Sequence, residues 1–111
     1  MSAMKFRLVS KASINLNPVK QYGANLKGCL LINTNAAARY VKLYESVDAP
    51  TIGTTTPAIT IEVPASSQVP LTWSDGINFS ETMWVATTTG VADSDTGAVG
   101  AGDLYVQLFV E

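Results

Sequence analysis

Few residues in this chain could move a proton or hold a metal. There is no histidine, so a general base would have to be a carboxylate, a lysine, a tyrosine or the single cysteine, Cys29. Cys29 has no histidine to draw off its proton, which argues against a cysteine nucleophile and against any cysteine–histidine metal cluster. With no second cysteine it forms no internal disulfide. It stands in the apolar run Cys29-Leu30-Leu31-Ile32, where a small buried hydrophobe is expected. Glu45 and Asp48 flank a proline loop, and Glu62 falls on the polar side of an alternating segment. No spacing selects a carboxylate pair for glycoside cleavage. No glycine-rich loop leads from a strand into a helix in the way that cradles phosphate. The expectation is a protein that is not an enzyme and takes no cofactor.

One motif resembles a metal loop. Asp93-Ser94-Asp95-Thr96-Gly97 offers oxygen ligands at alternate positions, as a calcium loop does at its start. The pattern then breaks: glycine holds the third alternate position, Ala98 stands where a sharp-turn glycine is required, and Leu104 stands where a bidentate acid belongs. Asp93 and Asp95 are therefore expected in a solvated turn without structural metal. The aromatics Tyr22, Tyr40, Tyr44, Trp73, Trp84 and Tyr105 suit either cross-strand packing or a platform for sugars. A platform for nucleic acid would also need a basic groove. With a net charge of −2 and a pI near 4.9, neither nucleic acid nor an anionic membrane is an expected partner.

The elements that position these residues read as strands. Alternation dominates: Leu104, Val106, Leu108 and Val110 share one side of the last segment, and Ile59, Ile61 and Val63 share one side of an earlier one. Val41 and Leu43 alternate with Tyr40, Lys42 and Tyr44. Val41, Leu43, Ile59, Ile61, Leu104, Val106 and Leu108 are expected to point into the core. Further strands are expected over 5–9, 12–16, 28–33, 69–73, 77–80 and 83–88. Asn17-Pro18, Ala49-Pro50, Thr56-Pro57, Val63-Pro64, Asp75-Gly76 and Thr89-Gly90 punctuate them as turns. Such spacing predicts an all-β, single antiparallel β-sandwich or jelly roll of about eight short strands. At 111 residues the chain is one domain over 1–111, in which residues 1–25 form a candidate N-terminal arm or assembly segment. No signal peptide is evident and no apolar run reaches membrane-spanning length.

Two loops stand out. Residues 45–57 hold two prolines, a glycine and four threonines. Residues 87–102 form a long glycine-rich connection of the kind that is either functional or mobile, and an interface could hold it in place. Only 14% of residues are charged, against about 25% in ordinary domains. The surface must therefore be rich in Ser, Thr, Asn, Gly and Ala, which suits packing against a neighbour. The charges are also segregated: all seven basic residues lie at or before Lys42, and all nine acidic ones at or after Glu45. Because sequence halves intermix in a sandwich, internal neutralisation is the expected arrangement. The alternative is a basic patch on one molecule meeting an acidic patch on the next. On that view the candidate interface residues are Lys5, Arg7 and Lys11 together with Asp93, Asp95, Gly97 and Gly100.

Several stretches carry a family resemblance. They are the run from Gly28 to Tyr44, Ala49-Pro-Thr-Ile-Gly-Thr-Thr-Thr-Pro57, Gly76-Ile-Asn-Phe79, the run from Thr87 to Asp95, Val99-Gly-Ala-Gly-Asp103 and the closing Leu108-Phe-Val110. In order and spacing they resemble a family of small virion structural proteins of tailed bacteriophages, with Met1–Asn25 outside the match. The resemblance implies a β-sandwich or jelly-roll protein with no catalytic residues. It would be made in the host cytoplasm and end in the virion. The role implied is capsid decoration or cement, bound to the major capsid protein or another virion protein as a homo-oligomer, with a trimer expected. The second role implied is a tail, baseplate or fibre-associated module, which could bind glycans.

Overall fold

The computed structural model describes residues 4–111. Among them eight strands form and no helix does: β1 (Met4–Val9), β2 (Asn17–Lys20), β3 (Ala24–Asn33), β4 (Arg39–Glu45), β5 (Ile59–Val63), β6 (Gln68–Phe79), β7 (Met83–Thr88) and β8 (Leu104–Val110). They make two antiparallel sheets of four, sheet A in the order β1-β8-β3-β6 and sheet B in the order β2-β7-β4-β5. The strand pairs β1·β8, β2·β7, β3·β6 and β4·β5 match first with last, second with next to last, and so on inward. That is one long hairpin rolled up so that successive pairs fall into alternate sheets, the jelly-roll wrapping. The pairings β3·β8 and β4·β7 then close each sheet. The all-β sandwich expected from the alternation is what the chain forms.

The period of two also sets the core. Val41, Leu43, Leu104, Val106 and Leu108 are fully buried, Ile61 is 9% exposed, and Ile59 packs at the margin of the same cluster. β8 alternates without a break, inward at Leu104, Val106, Leu108 and Val110 and outward at Tyr105, Gln107 and Phe109.

Besides β3, which starts at Ala24 where Gly28 was expected, two boundaries differ. Residues 12–16 are not a strand. Asn15 adopts φ 53° and folds its side chain back on the loop, its Nδ2 donating to the carbonyls of Lys11 and Ser13 and to Thr87 Oγ1. Asparagine tolerates this left-handed geometry, and a polar turn wins over extension. The strand begins instead at Asn17. Pro18 is accommodated because β2 is an edge strand, where a missing N–H breaks no inner ladder.

The second difference is Asp75-Gly76, which does not end a strand. Between the partners Gly28↔Thr72 and Leu26↔Ile77 the pairing slips, so β6 bulges and continues to Phe79. Asn25 Nδ2 donates to the Asp75 carbonyl and the Lys27 ammonium to the Ser74 carbonyl, which secure the bulge. Gly28 is required here: a Cβ at that position would lie 2.8 Å from the Leu71 carbonyl oxygen. Of the N-terminal segment, residues 4–9 and 17–20 are edge strands of the two sheets, whereas residues 1–3 lie outside the described residues.

Candidate interaction surfaces

The outer face of sheet B is covered by the chain itself. Lys42 and Tyr44 on β4, and Ala86 and Thr88 on β7, all point away from the core, yet none has any solvent exposure. The cover is the first half of the connection between β7 and β8, residues 89–97. The Lys42 ammonium donates to the Ala92 carbonyl at 2.6 Å, and Thr88 Oγ1 donates to the Gly90 carbonyl. This strap is stiffened internally. Thr89 N donates to the Gly97 carbonyl, Asp95 N to the Ala92 carbonyl, and Gly97 N to Asp95 Oδ1 at 2.8 Å. Asp95 is thus an internal turn cap, while Asp93 is exposed on the strap. The β4–β5 loop packs against the strap through Gly53, whose φ is +93° and where a Cβ would sit 2.7 Å from Thr96 Cγ2. Beneath the strap, Tyr44 Oη finds no hydrogen-bond partner among the described residues. Burial, reinforced by the charge of Asp93, pushes its phenol pKa up.

The second half of the same connection plugs one end of the sandwich. Val99 enters the core at 1% exposure. Ser10 Oγ donates to the Gly100 carbonyl at 2.8 Å and accepts from Leu104 N. Asp103 is the clasp, accepting from Gly100 N, Asn35 Nδ2 and Arg39 Nε at 2.8, 3.1 and 3.1 Å. Partial burial pushes its carboxyl upward, but the bonds from Gly100, Asn35 and Arg39 together hold it below its ordinary value. Asn33 ties in the neighbouring loops, its Nδ2 reaching the carbonyls of Ala37, Val63 and Pro64. Gly97 and Gly100 therefore spend their backbone groups inside the protein.

The outer face of sheet A has no such cover. Leu30 and Ile32 on β3 and Tyr105 and Phe109 on β8 stand outward and half-buried, with Pro70 of β6 exposed beside Leu30. On the β1 edge of this face Lys5 sits opposite Phe109 and Arg7 opposite Gln107. The Arg7 guanidinium carbon lies 5.7 Å from the centroid of the Tyr105 ring. Both cations are exposed, and Lys11 is exposed in the loop that follows.

The expected internal pairing of the two charge sets reaches one contact: Arg39–Asp103, at 3.1 Å, is the one ion pair among the described residues. Both signs occur in each sheet, with Lys20, Arg39 and Lys42 on strands of sheet B and Asp75 on β6 of sheet A, but the exposed charges include two separated sets. Lys5 and Arg7 edge the outer face of sheet A. Glu62 and Asp93 lie exposed over sheet B, with Asp95 half-exposed on the same strap.

The opposite end of the sandwich carries a cavity of about 270 Å³ lined by Gln21, Tyr22, Val47, Ser80, Glu81 and Thr82. Tyr22 is 91% exposed there with φ 60°, and Val47 is 70% exposed. Nearby, the Glu45 carboxylate accepts from the backbone N and the hydroxyl of Ser80, and these bonds hold its pKa down. The aromatics do not gather into one platform. Tyr44 is buried under the strap, Trp84 Nε1 donates to the Ser46 carbonyl, Trp73 packs on the core, Tyr105 lies under Arg7 and Tyr22 stands at the tip. Cys29 is buried, and burial pushes its thiol up to about 11.

The candidate interface residues thus divide among four places. Lys5 and Arg7 belong to the open face, Asp93, Asp95 and Gly97 to the strap, Gly100 to the end plug, and Lys11 to the β1–β2 loop. Leu30 and Ile32 were not among them, although a signal existed. Four consecutive apolar residues leave no polar side to a strand, which implies that both its faces seek cover. Nothing local marked Lys42 and Tyr44 as buried, because their cover is some 50 residues away in sequence. Comparison with protein-family profiles, with characterised proteins and with solved structures yields no match.

Proposed function

We propose that this chain is a non-enzymatic structural protein of a phage virion, a decoration or cement protein that binds and stabilises the head shell as a homo-oligomer, with a trimer expected. The observation that carries the reading is the uncovered apolar face of sheet A with its unpaired basic edge. A small β-sandwich with such a face is suited to packing against another subunit of an assembly, a copy of itself included. The stretches resembling tailed-phage virion proteins supply the class of partner, and jelly-roll domains recur among capsid proteins. Fold alone would not support the step, because sandwiches serve many functions. Quantifying the protein in purified virions tests it. A copy number comparable with that of the major capsid protein is expected, and a handful of copies per particle overturns the reading.

A tail- or fibre-associated role that includes glycan binding draws on one different observation, the exposed Tyr22 beside the tip cavity. An aromatic ring next to Gln21 and Glu81 offers a stacking surface and hydrogen-bonding groups to a sugar. Location at the tail tip, with glycan binding lost in Tyr22→Ala, would favour this role over the first.

A further inference from the structure

We infer that the outer face of sheet A is covered by a second copy of this chain, which presents its strap and the exposed edge of sheet B, in a head-to-tail contact. The inference deepens the homo-oligomer of the proposed function and rests on that part of it.

The argument begins with what the face contains. Leu30, Ile32, Tyr105 and Phe109 form a largely apolar patch across the two central strands: Ile32 pairs with Tyr105, Phe109 with Gly28, and Leu30 with Gln107, the one polar residue among them. Arg7 and Lys5 flank it on β1 and meet no carboxylate among the described residues. On the other side of the molecule, Glu62 and Asp93 are exposed and Asp95 half-exposed. On β4 of that side, Lys42 is sealed beneath the strap with its ammonium on the Ala92 carbonyl. The β1 edge of one face is basic, and the strap side of the other carries exposed carboxylates.

Charge favours one symmetry. A two-fold contact between two open faces would leave the exposed carboxylates of sheet B unused, and where it brought the β1 edges together it would set Lys5 and Arg7 against their own copies. A head-to-tail contact sets Lys5 and Arg7 against Asp93 and Glu62 and lets the neighbour's threonine- and glycine-rich strap lie on the apolar patch. Such a contact generates a ring if its rotation closes and a filament if it does not.

The experiment is sedimentation of the purified full chain over a range of concentrations, at ionic strengths of about 0.01 and 1 M, between which the screening length falls from about 30 to about 3 Å. Association is expected, weaker at high salt. Leu30→Glu should abolish it with the circular dichroism spectrum unchanged. Arg7→Glu and Asp93→Arg should each weaken it by about fivefold or less, the range of one exposed pair. The doubly exchanged variant, R7E with D93R, should recover most of the loss, which no misfolded protein would do. A monomer under every condition overturns the inference, and if that monomer coats capsid shells the face belongs to the shell. Association that needs Leu30 but ignores both reversals and the exchange overturns the strap as the opposing surface. Failure of the virion role would be read separately, from copy number in particles.

Discussion

Lys42 and Leu30 occupy equivalent places: each is an outward-facing residue near the middle of a strand flanked on both sides, one in sheet B and one in sheet A. The ammonium is sealed from solvent and the leucine is only half-buried, the reverse of what their chemistry favours. Sheet B has drawn a loop of its own chain across its outer face and accepts a buried cation, whose desolvation is offset by the Ala92 carbonyl. Sheet A has no such strap, and its outward apolar residues stay half-buried. The difference teaches that exposure in this protein is set by where a distant connection happens to lie. It also shows which face is finished within one subunit and which is not.

The comparison presupposes that the two sheets share one core, and the largest effects test that. Leu108→Ala in sheet A and Ile61→Ala in sheet B should each cost about 2–5 kcal/mol in chemical denaturation. A loss within about 0.5 kcal/mol at either site, the range of surface positions, would break the register on which inward and outward are assigned.

The strap's clasp comes next. Asp103→Ala removes the acceptor of three hydrogen bonds and leaves Arg39 unpaired in a largely buried place, so a cost of about 2–4 kcal/mol is expected at neutral pH. The pH dependence has a definite sign. Because the folded carboxyl is held below its ordinary value, its stabilisation is complete above about pH 4 and is lost as pH falls through the lower folded value. Thermal melts of the wild type should therefore decline on the acid side of pH 4, and Asp103→Ala should flatten that decline. An acid limb of equal steepness in the variant would assign acid sensitivity to other carboxylates, Glu45 first among them.

A direct comparison of the two outer faces follows. Ala86→Leu under the strap should cost about 1–3 kcal/mol through overpacking, although alternation alone would mark position 86 as solvent-facing. Thr72→Leu on the open face should change the monomer's stability by about 0.5 kcal/mol or less, since Thr72 stands exposed on β6 opposite Gly28. Equal costs in denaturation of the two variants would mean that the faces do not differ in cover.

How much of this was legible in the sequence follows from the range over which each cause acts. The strand alternation of β4, β5 and β8 is local, and it identified the inward residues and the sandwich. Asp75-Gly76 is also a genuine local signal, but a bulge held by Asn25 and Lys27 absorbs it, and those partners are about 50 residues away. Residues 12–16 alternate like a strand, yet Asn15 satisfies its own loop instead. The segregation of charge was plain, whereas the surfaces it would reach depended on the jelly-roll wrapping, which no local pattern encodes. The apolar run 29–32 was visible as well. Its central place in sheet A decides that Leu30 and Ile32 open onto solvent, and strand order is a property of the whole chain.

The smallest expected effect is the most discriminating for the covered face. Tyr44 is fully buried beneath the strap, and its hydroxyl meets no partner among the described residues. A buried hydroxyl without a hydrogen bond costs about 1–3 kcal/mol relative to one in water, whereas the ring contributes through its packing. Tyr44→Phe keeps the ring and deletes the orphaned group, so stability should stay the same or rise by about 1 kcal/mol. If the strap were instead lifted in solution, the hydroxyl would be hydrated in the wild type. The substitution would then be neutral, and the Tyr44 phenol would titrate at its ordinary value in place of the raised one that burial and Asp93 impose. Melting of the variant and ultraviolet titration of the wild type together distinguish a closed strap from an open one. A gain in stability with a late-titrating tyrosine supports a face finished within one subunit. A loss of more than about 1 kcal/mol would show that the hydroxyl makes a bond worth keeping.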